Sequence, residues 1–572
     1  MILKMTAAWQ PGLGLFSVAV NLILSFTYAS AWIFPGSYPM EHLKGDLVKI
    51  KVNSLSSIST QVPYDYYYAP YPRPEKIVSD AENLGEILTG DTSQNSLYEA
   101  YMLKPEKCKT VGNRSILMTE DKVELFEYLI SRSYFINLSC EDLPASTPVE
   151  ISGNPNPVHI LGTRVGFTAK QNFYINNHIS FYIYFHQPSE RQNYRIVGFE
   201  VHAQSMNHIK EKDGSLSCDT SPLALLDEQQ DIYFTYDVSW VPSSKRWASR
   251  WDTYIQSYNA PIHWFSIVNA LVIVLFLGIM IAMILLRTLL RDIARYNSLD
   301  NVEDTHEEWG WKLLHGDVFR KPTHYSLLSV CVGTGVQILG ITLVTAILAS
   351  IGIFSPAFRG SLLQSSLVFF GFMGLPAGYA SASCYKIFDK TPFGNLRVPL
   401  MTAFLFPEIP VLTNKIPRAI PPQHWLVHPF LGCIIGGILP FGAVFTELIF
   451  IMSSLWLRRF YFLFGFLLSV IIILIIACAE ISIALTYFRL VAEDYRWWWP
   501  SFLFSSFSAI YIFAYCIIYF LKRLPLIGFV PVILYFGYMF LLSYGFFLLT
   551  GTCGFIATFY FLRSIYSSVK VD

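Results

Sequence analysis

Four long apolar runs in the last quarter of the chain constrain its fold more than any other feature. They fill most of the stretch from His428 to Arg563 and are separated by short polar segments. Each run is long enough to cross the hydrocarbon core of a bilayer, which takes about 20 apolar residues. Two carboxylates, Glu447 and Glu480, lie deep inside the runs. The C-terminal quarter is therefore predicted to be a bundle of membrane-spanning helices.

Composition extends this interpretation to the whole chain. Of the 572 residues, 53% are hydrophobic and 14% are charged, whereas a soluble protein carries about 25% charged residues. The formal net charge is zero, so there is no overall basic field for binding nucleic acid. The cysteines and histidines show no spacing typical of a metal site, and we find no phosphate loop, nucleophile elbow or metalloprotease motif. We expect a membrane protein that has no cofactor and is not an enzyme.

The first 260 residues are predicted to lie outside the membrane. Residues 1–31 have the basic start, the short apolar segment and the Ala29-Ser-Ala31 ending of a secretory signal peptide. Residues 32–260 are polar and rich in tyrosine, with runs of β-forming residues between prolines and glycines. We expect them to form one mainly β lumenal domain with a sandwich-like architecture.

Short sequence signals predict modifications of that domain. Asn113 and Asn137 each begin an Asn-x-Ser sequence, an acceptor for N-glycosylation in the secretory lumen. Three cysteines precede the first span, which allows one disulfide and leaves one thiol. Cys108 and Cys140 are the closest pair in sequence and are the expected disulfide, although spacing alone does not determine connectivity.

Seven spans are predicted within a membrane region of residues 261–563, followed by a cytosolic tail of residues 564–572. The arginines after the first span (Arg287, Arg291 and Arg295) place that end in the cytosol by the positive-inside rule. An odd number of spans then puts the C-terminus in the cytosol as well. The predicted spans are 264–286, 326–354, 362–383, 431–456, 460–488, 502–521 and 527–562.

Glycines four residues apart are typical of faces at which membrane helices approach closely. The sequence has two such pairs in its predicted spans, Gly374 with Gly378 and Gly432 with Gly436. These four residues are the candidate helix-packing positions.

Several longer sequence words are more specific than these general signals. They include Trp32-Ile-Phe-Pro-Gly, Lys245-Arg-Trp-Ala-Ser-Arg-Trp-Asp-Thr-Tyr, Gly310-Trp-Lys-Leu-Leu-His-Gly-Asp-Val-Phe-Arg, Gly436-Gly-Ile-Leu-Pro-Phe-Gly-Ala, Ala492-Glu-Asp-Tyr-Arg-Trp-Trp-Trp and Thr550-Gly-Thr-Cys-Gly-Phe. Together they resemble the nonaspanins, the transmembrane 9 superfamily or endomembrane protein 70 family, over nearly the whole chain after the signal peptide. Within that family the resemblance is greatest to the branch of member 4.

The resemblance implies nine spans, two more than the sequence predicts. The family's fourth and fifth spans should lie between Phe404-Leu-Phe-Pro and Asn414-Lys-Ile-Pro-Arg, which only a few residues separate in this chain. We therefore expect two spans to be missing here, a loss that keeps the C-terminus in the cytosol.

The resemblance also implies a function in membrane trafficking. It suggests a Golgi and endosomal protein that helps other membrane proteins, especially those with glycine-rich spans, to reach the surface, with associated roles in adhesion, phagocytosis or vesicle pH. The terminal Lys570-Val-Asp572 resembles a signal that binds vesicle coats and retains proteins in the Golgi. The expected partners are membrane lipid, client membrane proteins and the coat, and no nucleic acid.

A transporter or channel is the alternative. Charged groups in a bilayer core are costly and usually functional, so Glu447 and Glu480 would be the residues that carry it.

Overall fold

The computed structural model describes residues 39–80, 84–89, 93–112, 115–141, 143–149, 157–188, 193–210, 216–218, 223–251, 254, 260–298, 311, 314–351, 353–354, 360–388, 418–423, 425, 428–456 and 464–568. The predicted signal peptide, Asn113, the junction between residues 404 and 417 and the terminal signal of Lys570 and Asp572 lie outside these ranges.

The N-terminal domain is rich in strands, as its composition predicts. Among its described residues are two short α-helices, α1 (Leu84–Thr89) and α2 (Glu120–Ser131). Its strands are β1 (Leu47–Ser56), β2 (Ser79–Asp80), β3 (Ser93–Tyr101), β4 (Glu106–Thr110), β5 (Ile116–Leu117), β6 (Phe135–Cys140), β7 (Leu143–Pro144), β8 (Ser146–Val149), β9 (Val158–Leu161), β10 (Thr163–Arg164), β11 (Gly166–Ala169), β12 (Asn172–Ile175), β13 (His178–His186), β14 (Arg195–Gln204), β15 (Ile209–Lys210), β16 (Leu216–Ser217), β17 (Asp231–Ile232) and β18 (Thr235–Pro242).

Two larger sheets face each other in this domain. One has the order β10-β6-β1-β3-β2, with β7 beside β6, and the other has the order β4-β18-β13-β14-β8-β9. Strand β13 shows why they pack, because Ile179, Phe181 and Ile183 alternate with more exposed residues and present an apolar face. The Tyr98 ring on β3 lies 5.3 Å from the Phe181 ring, so the two apolar faces share one core. The architecture is the expected sandwich-like fold.

A disulfide joins this sandwich to a small hairpin. It links Cys108 on β4 to Cys218, next to β16, across a sequence separation of 110 residues. The expected pairing of Cys108 with Cys140 is therefore wrong. Cys140 ends β6 as a buried residue outside the disulfide, paired in register with Ile50, and belongs to the hydrophobic core. Proximity in sequence failed as a guide because the hairpin of β15 and β16 lies beside Thr235 of β18, the strand that pairs with β4.

The C-terminal part is a bundle of long helices. Its helices are α3 (Ala260–Ser298), α4 (Tyr325–Ser350), α5 (Ser361–Phe372), α6 (Gly374–Phe388), α7 (Pro429–Trp456), α8 (Phe464–Val491), α9 (Trp498–Ser506), α10 (Ser508–Arg523) and α11 (Phe529–Ser568). Among the described residues, six helical segments are long and apolar enough to cross a membrane, with α9 and α10 counted together. A seventh span results if α5 and α6, which meet at an angle of 41°, are one broken span. The multi-pass helical fold is confirmed.

The two ends of the bundle differ in what they contact. At one end, Gln61 of the sandwich donates a hydrogen bond to the Trp456 carbonyl (3.1 Å), and Ile527 N–H donates to the Ser59 carbonyl (2.9 Å). We call this end the domain side. Helices α7, α8 and α11 place His428, Asp494 and Tyr566, respectively, at the opposite end, which we call the far side.

Candidate functional site

Three consecutive tryptophans organise the far side of the bundle. The indole N–H groups of Trp497, Trp498 and Trp499 donate hydrogen bonds of 2.8, 2.9 and 2.8 Å to successive carbonyls in the segment that precedes α4. The accepting carbonyls are those of Val318, Arg320 and Thr323. Trp497 and Trp498 also stack on each other with ring centroids 4.0 Å apart. Two of the sequence words that carry the family resemblance thus form one interface.

A buried ion pair fixes the loop that leads into these tryptophans. The Arg489 guanidinium contacts the Asp494 carboxylate, and their side chains are only 5% and 4% exposed. Burial alone would raise the pKa of Asp494, but the charge of Arg489 and hydrogen bonds from Arg489 and Arg496 outweigh it and lower that pKa. The carboxylate is therefore ionised at neutral pH and holds the end of α8 against the loop.

The last helix is anchored in the same cluster. The Tyr566 hydroxyl donates a hydrogen bond of 2.7 Å to the Trp311 carbonyl, and its ring belongs to the apolar cluster that contains Trp497, Trp498 and Leu314. The far-side cluster, defined as residues 311, 314–325 and 489–499 and the end of α11 around Tyr566, therefore determines where the chain leaves the bundle. The predicted tail signal begins four residues beyond Tyr566.

Glycines allow the helices of the bundle to approach closely. A Cβ added at Gly432 would lie 2.7 Å from Cε1 of Phe504, and one at Gly436 would lie 2.7 Å from the Phe504 carbonyl oxygen. Contacts this short leave no room for a side chain, so the backbone of α7 packs directly against the ring and the carbonyl of Phe504 on α9, a close approach of the kind expected for this predicted pair. Gly554 on α11 lies in the same way against the hydroxyls of Ser482 and Ser505.

Hydroxyl groups line the contact between α9 and α11. Ser505 donates to the Thr550 carbonyl (2.8 Å), and Ser506 donates to the Phe547 carbonyl (3.0 Å). All these side chains are buried within the bundle. Hydrogen bonds between helices supplement van der Waals packing where the surrounding lipid supplies no hydrophobic driving force. The bundle interior is thus held by small and hydroxylated residues.

The second predicted glycine pair has the opposite environment. No heavy atom of the described residues lies within 4 Å of a Cβ placed at Gly371, Gly374 or Gly378. These glycines follow one another at intervals of three and four residues along α5 and α6, and all three are exposed. We call this surface the open glycine face. It has the composition of a helix-packing face, but the described part of the chain does not cover it.

The two intramembrane carboxylates lie at different depths. Ala443 of α7 packs in one cluster with Ile473 and Ala477 of the antiparallel helix α8. Glu447 is one turn nearer the domain side and Glu480 about one turn nearer the far side, so they are about 10 Å apart along the axis at a rise of about 1.5 Å per residue. Glu447 is buried, and Glu480 is half-buried beside Gly278 of α3. The structure therefore does not bring the two carboxylates together as a pair.

The glycosylation prediction for Asn137 is disfavoured by its surroundings. Its side-chain nitrogen, the atom that would carry a glycan, donates hydrogen bonds to the Ser54 carbonyl (2.7 Å) and to the Ser56 hydroxyl (2.8 Å). The residue is half-buried in β6 between its neighbouring strands. Sequence reasoning could not detect this, because the acceptor motif says nothing about sheet pairing.

The sandwich domain on one side of a multi-pass helical bundle defines a class of polytopic membrane protein with a large extramembrane domain. The chain belongs to the endomembrane protein 70 family, whose profile matches residues 63–412 and 406–529. This membership makes it a membrane protein of the endomembrane system.

Three relatives illustrate how far the similarity extends. Transmembrane 9 superfamily member 9 of Arabidopsis thaliana is 43% identical, with 97% of this chain and 98% of the relative covered. Transmembrane 9 superfamily member 4 of Homo sapiens is 38% identical, covering 95% and 97%. A protein named putative phagocytic receptor 1a, from Dictyostelium discoideum, is 37% identical, covering 98% of each. No solved structure matches the chain significantly.

The alignments also bear on the two spans expected to be missing. The aligned length with the first Arabidopsis relative is 634, which exceeds the 572 residues of this chain, so the relative has residues where this chain has none. The family profile is matched in two segments that meet at residues 406–412. This is the junction at which the sequence words place the missing spans. A pair of spans needs about 40 residues. The excess of the aligned length, 634, over the 572 residues of this chain is large enough to accommodate such a pair.

Proposed function

We propose that the protein is a sorting factor for other membrane proteins in Golgi and endosomal membranes, and that its open glycine face receives a client span. The observation that carries this proposal is the contrast between the two glycine pairs. Gly432 and Gly436 are closed by a neighbouring helix, whereas Gly374 and Gly378 are exposed with no neighbour among the described residues.

The physics of helix association in lipid supports this role. Because lipid tails are as apolar as leucine, helices associate through close backbone packing and not through hydrophobic burial. A glycine face is a poor lipid surface but a good helix surface, and a client span with its own small residues would complement it. Large apolar residues beside the glycines, Phe372 and Leu375, are 65% and 63% exposed and would border the docked helix.

The position of the open glycine face in the chain suggests a second occupant that would compete with the client span. Helix α6 is the last described helix before residues 406–412, where the two matched segments of the family profile meet and where we expect the two missing spans. A span of the relatives could cover the face there, and in this chain the same surface would then be free for a client. The sorting proposal therefore also predicts that a full-length relative binds the same client more weakly through this face.

The far-side cluster supports a second part of the proposal. It anchors α11 at Tyr566, close to the tail that ends in Lys570 and Asp572. A coat-binding signal needs a defined exit point from the membrane and an exposed chain end. We propose that the cluster supplies the exit point and that the tail recruits the coat from the cytosol.

The test replaces both open glycines by leucine. Cells depleted of their own family members would express Gly374→Leu/Gly378→Leu together with a reporter protein whose span contains a Gly-x-x-x-Gly sequence. Surface biotinylation should show a several-fold loss of reporter relative to cells that express the wild type, and co-immunoprecipitation of the reporter should fall in parallel.

Gly442→Leu is the matched control, because Gly442 is an exposed glycine of α7 that also has no described residue within 4 Å of an added Cβ. It should leave delivery of the reporter unchanged. Equal delivery by the wild type and the double variant would refute the role of the face. For the tail, Lys570→Ala should move the protein out of the Golgi region in microscopy, and an unchanged distribution would contradict coat binding.

The transport alternative has one structural observation in its favour. The Oε2 atom of Glu480 is buried and has no hydrogen-bond partner among the described residues. Glu480→Gln distinguishes the two functions. If the variant still delivers the reporter but abolishes an ion flux in reconstituted vesicles, the transporter reading replaces the sorting proposal.

A further inference from the structure

Two chain segments bring ligand-type side chains together around the disulfide of the sandwich domain. Strands β15 and β16 form a hairpin in which Ile209 pairs with Ser217, so the next residues outward, His208 and Cys218, lie opposite each other. His208 Nδ1 is 3.7 Å from Cys218 Sγ. Cys108 reaches the same point from β4. The metal-binding type atoms of these three residues all lie within 4.8 Å of one another.

The backbone at Cys108 is adapted to this position. Between Tyr236 and Val238 the pairing of β18 with β4 is irregular, and two residues of β4 stand opposite Asp237. Cys108 there has a φ of 50°, a left-handed conformation that side-chain-bearing residues rarely adopt. Its N–H donates a 2.6 Å hydrogen bond to Asp237 Oδ1. Bulges of this kind re-aim side chains and are common next to functional sites.

A chain of hydrogen bonds orients the His208 ring. The chain begins at the Asp237 carboxylate, which can only accept hydrogen bonds, and His178 Nε2 lies 3.4 Å from Asp237 Oδ2. On the other side of the same ring, His178 Nδ1 lies 2.8 Å from Thr235 Oγ1. Thr235 Oγ1 in turn lies 3.0 Å from His208 Nε2. With both rings neutral, His178 donates to Asp237, the threonine hydroxyl donates to His178, and His208 Nε2–H donates to the hydroxyl.

This direction of donation leaves the lone pair of His208 Nδ1 facing Cys218. In a metal-ligating histidine, one ring nitrogen usually binds the metal while the N–H of the other ring nitrogen donates to a fixed acceptor. Zinc–sulfur bonds of about 2.3 Å and zinc–nitrogen bonds of about 2.0–2.1 Å at tetrahedral angles place ligand sulfur and nitrogen atoms about 3.6 Å apart. The 3.7 Å separation of His208 Nδ1 and Cys218 Sγ matches that spacing.

We propose that this disulfide is the oxidised form of a redox-controlled zinc site made of Cys108, Cys218 and His208. A dithiol reductant supplies two electrons and two protons, breaks the S–S bond and is itself oxidised to a disulfide. One Zn²⁺ then binds both cysteine sulfurs and His208 Nδ1, and the two thiol protons are released to solvent. In the reverse step, a low-molecular-weight disulfide takes two electrons from the two cysteine thiolates and two protons from solvent and becomes a dithiol, while the S–S bond between Cys108 and Cys218 re-forms and the ion is released.

Three protein ligands leave the fourth tetrahedral position to solvent, as in catalytic and exchangeable zinc sites. All three side chains are half-buried, so both a small reductant and an ion can reach them. Reduction followed by zinc binding would therefore replace the disulfide between β4 and the hairpin by a zinc ion that links the same two segments.

The test measures metal binding by the full-length protein purified in detergent. The protein is reduced with a dithiol, desalted without oxygen and titrated with Co²⁺, whose thiolate charge-transfer absorption reports cysteine ligation. Reduced wild type should bind one equivalent more than the oxidised protein, and Zn²⁺ should displace the Co²⁺. Cys108→Ser and His208→Ala should each remove the additional absorption.

Two further variants keep the result interpretable. Thr235→Val removes the orienting hydrogen bond but keeps all three ligands, and should weaken binding about 10–100-fold. Cys140→Ala removes the other cysteine of the domain and should bind as the wild type does. Disulfide formation by oxidised His208→Ala, seen as a mobility difference on non-reducing gels, verifies that this variant folds.

The proposal is overturned by either of two results. One is that reduced wild type and Cys108→Ser bind the same amount of Co²⁺, which would make the disulfide purely structural. The other is that His208→Ala retains wild-type affinity and spectrum, which would mean that the histidine is not a ligand.

Discussion

The buried ion pair of the far-side cluster gives the sharpest stability prediction. Replacing Asp494 by asparagine leaves Arg489 charged in a site where its side chain is only 5% exposed. Breaking a buried pair by removing one partner costs about 3–5 kcal/mol, because the remaining charge has no compensation. At about 2–4 °C per kcal/mol for a chain region of this size, we expect the thermal midpoint to fall by at least about 6 °C.

A double variant separates loss of the pair from loss of its hydrogen bonds. In Arg489→Met/Asp494→Asn no charge remains buried, and the asparagine oxygen can still accept the bond that Arg496 N–H now donates to Asp494 Oδ1 (3.0 Å). Replacing both charges is usually far less costly than removing one. The double variant should therefore be more stable than Asp494→Asn alone, although it carries an additional substitution.

The assay is the fraction of monodisperse protein after heating in detergent, measured by size-exclusion chromatography at pH 7. The lowered pKa of Asp494 means that the pair contributes its full stabilisation above the ordinary aspartate pKa and loses it as the pH falls through the lowered value. Measurement at pH 7 thus captures the whole effect. A double variant that is no more stable than Asp494→Asn would refute this reasoning.

Two other predictions concern the sandwich domain. The hydrogen bond to Glu141 raises the pKa of His42, against the opposing effect of burial, so the pair's stabilisation is complete below pH 6.5 and is lost as the pH rises through the raised pKa. His42→Gln should therefore lower the thermal midpoint of the domain more at pH 6 than at pH 8, and equal losses at the two values would contradict the assignment. Asn137→Gln should leave the mobility shift produced by a glycosidase unchanged, because the Asn137 side-chain nitrogen donates hydrogen bonds to Ser54 and Ser56 within the sheet. A smaller shift would show that this residue carries a glycan.

The far-side cluster explains why separate sequence words occur together in this chain. The indole of Trp497 and the carbonyl of Val318 are 179 residues apart in sequence, and Tyr566 and Trp311 are 255 residues apart. The segment that contains Trp497 supplies N–H donors, and the segment that contains Val318 supplies carbonyl acceptors. Neither segment can form these hydrogen bonds without the other. A change in one segment should therefore disturb the exit point of the last helix even if the tail itself is intact.

Hydropathy and composition along the chain were sufficient to predict the membrane class, the approximate positions of the six apolar helical segments found among the described residues and a separate β-rich domain. The reason is that crossing a bilayer is a local requirement, met by each segment of about 20 apolar residues without reference to any other. The sequence words likewise identified the family, because they are read one after another along the chain.

Only the tertiary structure decided which residues meet. It paired Cys108 with Cys218 instead of Cys140, because the hairpin packs beside β18, the strand that pairs with β4. It closed the face of Gly432 and Gly436 and left that of Gly374 and Gly378 open, although both pairs have the same spacing. A contact depends on what the rest of the chain places opposite a residue, and that information is not local to any sequence window.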